Sequence, residues 1–96
     1  MTNETKYEVK VTSRFKRDYR LAQRRGQNIR LLLDVIPELA DGHMLPAENH
    51  DHALVGEWIG YRECHIAPDW LLVYRKDEDI LVLTLMRTGS HSDLAF

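Results

Sequence analysis

Three histidines and a carboxylate stand in the second half of this 96-residue chain at spacings that suit proton transfer. His65 and Asp69 lie in the stretch YRECHIAPDWLLVY, residues 61–74, while His52 precedes it in DHALVGEW and His91 follows it in RTGSH. An imidazole titrates near neutral pH, so it can accept or donate a proton in the cell. A nearby carboxylate can orient such a ring. These residues are therefore candidates for an acid–base site.

The neighbouring residues also have a purely structural interpretation. Asp69 follows Pro68, and aspartate is a common turn residue. Trp58 and Trp70 are large apolar side chains of the kind that fill a core. Arg87, near the end of the last apolar run, could form a structural ion pair. A single histidine on a strand is more often packed or solvated than catalytic, so only the combination of residues argues for chemistry.

Metal binding is a competing use of the histidines. His50 with His52, or His52 with His65 and His91, could bind zinc together with a carboxylate. No compact ligand spacing such as H-x-x-x-H occurs in the sequence. We therefore predict that the chain uses no metal ion or other cofactor, and His50 receives no role outside this alternative.

Hydrophobic periodicity predicts the elements that would position these residues. YEVKVTS, residues 7–13, alternates apolar and polar positions as a half-buried strand does. A basic amphipathic helix follows and ends at Gly26. An apolar helix covers about 28–40, and Pro37 should kink or fray its last turn. Residues 41–57 are predicted to form a loop.

The pattern of the second half is typical of strands. Apolar runs at 58–66, 70–76 and 80–88 are separated by the short turns APD and DED, which indicates an antiparallel meander. Alternation in the first run places Glu63 and His65 on one face of the sheet. The order β-α-α-β-β-β predicts an α+β fold, with two N-terminal helices packed on a mainly antiparallel twisted sheet.

Composition bounds the class of protein. The length of the chain, residues 1–96, predicts one domain, and 44% apolar with 29% charged residues is ordinary for a soluble globular protein. No apolar run approaches the roughly 20 residues that span a bilayer, and the polar start MTNETKYEVK predicts no signal peptide. The lone Cys64 excludes an intramolecular disulfide, which is compatible with a reducing cytoplasm.

The net charge of −2 conceals an asymmetry along the chain. Residues 1–30 carry nine Lys/Arg and three Asp/Glu, whereas residues 31–96 carry four and twelve. Arg17, Arg20 and Arg24 share one face of the first predicted helix. This face is either a footprint for a polyanion or a simple solvated helix surface.

The joint pattern DHALVGEWIGYRECHIAPDWLLVY followed by RTGSH resembles the YafQ branch of the RelE/ParE superfamily of bacterial toxin–antitoxin toxins. The match covers residues 51–94, while the first half matches only in its plan of a strand, a basic helix and an apolar helix. The order and spacing agree at a long set of positions: His52, Gly56, Trp58, Gly60, Tyr61, Arg62, His65, Pro68, Asp69, Trp70, Tyr74, Arg87, Gly89 and His91.

This resemblance implies a RelE-like fold and a metal-independent endoribonuclease that cuts messenger RNA in the ribosomal A site. It implies a cytoplasmic protein whose partners are a cognate antitoxin protein, the ribosome and mRNA. The implied catalytic residues are His52, His65, Asp69, Arg87 and His91. The implied supporting or substrate-binding residues are Glu63, Trp70 and Phe96, and Arg17, Arg20 and Arg24 would contact ribosomal RNA. The aromatic residue expected near the C-terminus falls at Ala95, one residue before Phe96.

The implied chemistry suits these residue types. Cleavage of RNA without a metal needs a base for the ribose 2′-hydroxyl, a cation for the developing phosphorane and an acid for the 5′-oxygen. We expect His91 to be the acid and Arg87 to bind the scissile phosphate with its forked guanidinium. The base is left open among His52, His65 and Asp69. The alternative function is a ParE-type toxin that inhibits a gyrase-like partner without nuclease chemistry, and the cluster of histidines argues against it.

Overall fold

A computed structural model describes residues 5–94, and its elements confirm the predicted α+β class. The predicted order β-α-α-β-β-β is extended by a two-residue strand inside the expected loop and by one helical turn at the end. The elements are β1 Glu8–Val11, α1 Ser13–Arg24, α2 Ile29–Ala40, β2 His52–Ala53, β3 Arg62–Ala67, β4 Trp70–Asp77, β5 Val82–Gly89 and α3 His91–Leu94. Across this described part of the chain, no helix has the length and apolar character needed to cross a bilayer.

The strands form one sheet in the order β1-β5-β4-β3-β2. β3, β4 and β5 make the predicted antiparallel meander, β2 continues it at one edge, and β1 pairs in parallel with β5 at the other. Every residue of β4 from Trp70 to Tyr74 is buried, which places this strand at the centre of the fold. The sheet is therefore mainly antiparallel, as predicted.

The main core lies between the helices and one face of the sheet. Phe15 of α1 and Leu32 and Leu39 of α2 pack with Tyr74 and Leu85 of the sheet, and each is at most 5% exposed. Full burial of such side chains stabilises a fold by roughly 1.5–3 kcal/mol each. A smaller cluster on the opposite face contains Leu71, Val73 and Leu94, with Trp58 and Tyr61 packed against it.

Two predicted boundaries are wrong, for local reasons. The run at 58–66 is not one strand: Trp58 ends a 3-10 turn, Gly56–Trp58, and β3 begins only at Arg62. Gly60 has φ +94°, a conformation that glycine adopts without steric cost, so the chain turns there before the strand starts. Pro37 does not fray the last turn, because α2 continues to Ala40 and Asp41 donates a backbone hydrogen bond to the Pro37 carbonyl.

Candidate active site

Three imidazole rings form a row beside the C-terminal end of β3. His65 of β3 is at the centre, with its ring centroid 5.7 Å from that of His91 and 5.4 Å from that of His50. His65 pairs with Leu71, and Leu71 pairs with Gly89, so the sheet register brings the end of β5 and the start of α3 beside it. The structure thus joins His65 and His91, as predicted, and adds His50.

Asp69 holds His91 in position. One carboxylate oxygen of Asp69 lies 2.6 Å from His91 Nδ1 and accepts the His91 backbone N–H at 3.0 Å. These two hydrogen bonds, the backbone one first, hold the pKa of the Asp69 carboxyl below its usual value. Because Nδ1 is bonded to the carboxylate, Nε2 of His91 is the nitrogen left for a substrate. Asp69 is therefore placed to orient His91.

A capping box fixes the start of α3 and with it the position of His91. Ser90 donates its N–H to Asp93 at 2.9 Å, and Asp93 donates its N–H to the Ser90 hydroxyl at 3.1 Å. Arg25, the residue that follows α1, binds Asp93 at 2.6 Å and, together with the Ser90 N–H, lowers the pKa of Asp93 to about 2. A Cβ atom on Gly89 would lie 2.9 Å from Asp93 Cβ, so this turn has no room for a larger residue. The stretch RTGSH is thus built to present His91.

His52 lies next to this row and is bonded on both sides. Its Nδ1 is 2.7 Å from the His50 carbonyl oxygen, and its Nε2 is 3.5 Å from Glu63 Oε1. Glu63 shares the face of His65, as predicted, but it is 6% exposed and is covered by His52 rather than displayed to solvent. Both ring nitrogens of His52 therefore face oxygen atoms.

Two candidate residues make hydrogen bonds inside the protein, in agreement with their structural interpretations. Arg87 binds Asp18 of α1 with Nε at 2.8 Å and Nη2 at 3.2 Å, and its side chain is 16% exposed. Trp70 is 1% exposed, and its indole N–H donates to the Thr88 hydroxyl at 2.8 Å. Neither face of the Trp70 ring is accessible, so of the supporting and substrate-binding roles that the resemblance implies only the supporting one is open to this residue. Trp70 is a core residue.

The remaining predicted residues are placed as follows. Arg17, Arg20 and Arg24 are exposed on α1. Phe96, together with Ala95, lies outside the described residues. Between residues 5 and 94, no group of three or more His, Cys, Asp or Glu side chains is arranged to hold a metal ion. Burial raises the pKa of Cys64 to about 12, so this residue is a neutral thiol rather than a thiolate ligand.

The hydrogen bonds that fix residues 49–52 against the sheet were not predicted. Asn49 donates its side-chain amide to the His65 carbonyl at 2.8 Å. Asp51 accepts the Tyr74 hydroxyl at 2.7 Å and pairs with Arg62 at 3.3 Å. The order of residue types at 49–52 does not predict these hydrogen bonds. His50 has φ +47°, and the left-handed turn there interrupts the alternation of side chains that a strand would show.

An α+β domain with this strand order and an imidazole–carboxylate site at the end of its antiparallel meander defines the class of small RelE-like toxins. The comparisons identify the family. A family model described as "Bacterial toxin of type II toxin-antitoxin system, YafQ" matches residues 7–96. The mRNA interferase toxin YafQ of Escherichia coli K12 is 34% identical over 88 residues, which are 91% of this chain and 94% of that protein. The chain belongs to the YafQ family of toxins of type II toxin–antitoxin systems.

Two solved structures show the same fold. YafQ in the E. coli DinJ-YafQ toxin-antitoxin complex superposes with a TM-score of 0.85 at 33% identity, covering 93% of this chain and 97% of that one. A metal-bound toxin from Helicobacter pylori gives a TM-score of 0.86 at 35% identity, covering 92% and 98%. The resemblance seen in the sequence is confirmed, as is its enzyme class, because the E. coli relative is an mRNA interferase. The ParE-type alternative is not supported.

Proposed function

We propose that this chain is a ribosome-dependent mRNA interferase that cuts message in the A site by metal-independent attack of the ribose 2′-hydroxyl. The observation that carries the proposal is the pair of accessible imidazoles, His65 and His91, one of which is oriented by Asp69. The protein acts in the cytoplasm, where its substrate is translated. A cognate antitoxin protein restrains it, as the solved complex of the relative with DinJ supports.

In the proposed reaction the two imidazoles transfer protons in opposite directions. His65 takes the proton of the 2′-hydroxyl, the 2′-oxygen bonds to phosphorus, and the bond from phosphorus to the 5′-oxygen breaks. His91 gives its Nε2 proton to that leaving oxygen. The products are a 2′,3′-cyclic phosphate and a 5′-hydroxyl end. Each proton transfer contributes typically 10²–10⁴-fold to the rate.

The choice of base among His52, His65 and Asp69 rests on their hydrogen bonds. Both nitrogens of His52 face oxygen atoms, and Asp69 is occupied by two bonds from His91. Among residues 5–94, neither ring nitrogen of His65 has a hydrogen bond, so His65 is free to accept a proton. His52 and Glu63 then support the loop beside the site, and Asp69 acts as a positioning residue.

Cleavage should occur without a metal supplied by the toxin. We expect purified toxin to cut message on programmed ribosomes at the same rate before and after treatment with a zinc chelator, with magnesium kept for the ribosome. The physical reason is that proton transfer and charge stabilisation are both assigned to side chains. A relative from Helicobacter pylori has been solved in a metal-bound form, so a metal requirement is a concrete alternative that this experiment can detect. Loss of cleavage after chelation and recovery with zinc would contradict this expectation, and no cleavage by any preparation would contradict the proposed function.

The exposed cations of α1 provide a second expectation. Replacing Arg17 and Arg24 by alanine should weaken ribosome binding and reduce the slope of log affinity against log salt by about 2. Arg20 is left intact, since it also lines an apolar groove between α1 and α2. A charge-matched control, Lys10→Ala with Arg75→Ala, should leave the slope near the wild-type value. Equal slopes in all three proteins would show that the α1 face is only a solvated surface.

A further inference from the structure

A groove opens between α2 and β3 directly beside the histidine row. Its volume is about 630 Å³, within the range of roughly 300–1,000 Å³ typical of small-ligand sites. His50 and His65 both line it, so it is continuous with the atoms proposed to transfer protons. Whatever lies in this groove is therefore adjacent to the bond that is cut.

The lining of the groove selects the chemistry of its occupant. Its walls are aliphatic: Leu31, Val35, Ile66, Ala67 and Pro68. Besides the two histidines, its polar side chains are the carboxylates of Asp34 and Glu48 and the amide of Asn49. Two carboxylates repel a phosphate, but they accept hydrogen bonds from amino groups, and the aliphatic walls suit a flat ring. This combination fits a nucleobase that bears an exocyclic amine, as adenine, cytosine and guanine do.

The backbone at His50 is fixed by hydrogen bonds, which leaves the imidazole ring in a defined position. Its neighbours Asn49, Asp51 and His52 are each tied by their side chains to the sheet or to the backbone. The His50 backbone N–H donates to Ala47 at 3.0 Å, and its carbonyl accepts from His52. The His50 ring is exposed and, unlike the side chains of these neighbours, has no hydrogen bond within residues 5–94. A positioned, accessible imidazole at a groove mouth is a surface on which a splayed RNA base stacks.

We propose that the α2–β3 groove is a nucleobase subsite for the message, in which His50 stacks on a base adjacent to the cleaved bond. Asp34 and Glu48 accept its amino group and so disfavour uracil. The proposal rests on the proposed ribonuclease function and assigns that function a source of base preference. It gives His50 a binding role, distinct from the proton transfers of His65 and His91.

The test is single-turnover cleavage on ribosomes programmed with messages that differ only in the nucleotide flanking the cut, on either side. At the flanking position whose base occupies the groove, wild-type toxin should cut the message with uracil about 10-fold more slowly than the message with adenine. Asp34→Asn with Glu48→Gln should shrink or invert that ratio, because an amide can donate to the uracil O4 atom. His50→Ala should raise the toxin concentration needed for half-maximal rate by about 10-fold, through lost stacking.

A matched control is available at the C-terminal end of α2 and just beyond it. His43 pairs with Glu38 at 2.9 Å outside the groove, so His43→Ala with Glu38→Gln changes the same residue types and should alter neither ratio nor rate. An unchanged base ratio in the Asp34/Glu48 variant, with a wild-type melting temperature, would overturn the subsite. So would a loss of antitoxin affinity with base preference intact, because the groove would then bind the antitoxin. Cleavage by the wild-type toxin tests the proposed nuclease function on its own: if the wild-type protein cuts no message, that function fails, whatever the variants do.

Discussion

His91→Gln should lower the single-turnover rate of message cleavage by at least about 10²-fold. Glutamine can keep the hydrogen bond that His91 makes with Asp69, but it cannot carry a proton at neutral pH. The capping of α3 depends on Ser90 and Asp93, so the turn should remain in place. Melting temperature and ribosome affinity should therefore stay close to the wild-type values.

The control for this variant is His43→Gln. His43 is another exposed histidine paired with a carboxylate, 2.9 Å from Glu38, and it does not line the groove between α2 and β3. It should cut message at the wild-type rate. A His91→Gln protein that also cuts at that rate would remove His91 from the mechanism. A lower melting temperature with full activity per folded molecule would show that His91 is structural.

Arg87→Ala should damage both stability and cleavage. The pair of Arg87 with Asp18 is mostly buried, with side chains 16% and 12% exposed, so removing the arginine leaves an uncompensated carboxylate. Loss of about 2–4 kcal/mol in the free energy of unfolding is expected, and a fall in melting temperature on the order of 10 °C or more. Cleavage per folded molecule should also fall by at least about 10-fold, because the guanidinium is proposed to stabilise charge on the phosphate.

Asp18→Asn separates these two effects. It weakens the same ion pair, so it should lower the melting temperature as well, but it keeps the guanidinium in the protein. We expect this variant to retain most of its cleavage per folded molecule. If both variants lose equal activity per folded molecule, the pair serves only to hold α1 on β5, and the phosphate must be bound by other groups.

The sequence predicted the elements because their signals are local. The apolar spacing of α2 and the short turns between β3, β4 and β5 are set by neighbouring residues, and the structure follows them. The approach of His65, Asp69 and His91 was also predictable, because a meander brings strand ends together. The predicted strand at 58–66 is wrong only in its first residues, where Gly60 turns the chain. An alternating apolar pattern does not reveal such a turn.

The rest of the site depends on contacts that no local pattern encodes. Arg87 finds Asp18 across 69 residues of sequence, so its ion pair could be suggested but its partner could not be named. Trp70 was compatible with both a core role and a substrate-binding role, and only the sheet order, with β4 at the centre and covered on both faces, decides for the core. His50 joins the row through a left-handed turn and the hydrogen bond of Asn49 to the backbone of His65.

Attack by the 2′-hydroxyl is the central claim, and one substitution in the message tests it most directly. The cleaved bond is mapped first, and the nucleotide on its 5′ side is then replaced by its 2′-deoxy form in an otherwise identical ribosome-bound message. We predict that purified toxin no longer cuts this bond, while the all-ribose message yields a 2′,3′-cyclic phosphate and a 5′-hydroxyl end. Cleavage of the deoxy-substituted bond at the rate of the all-ribose one, leaving a 3′-hydroxyl and a 5′-phosphate, would contradict the account.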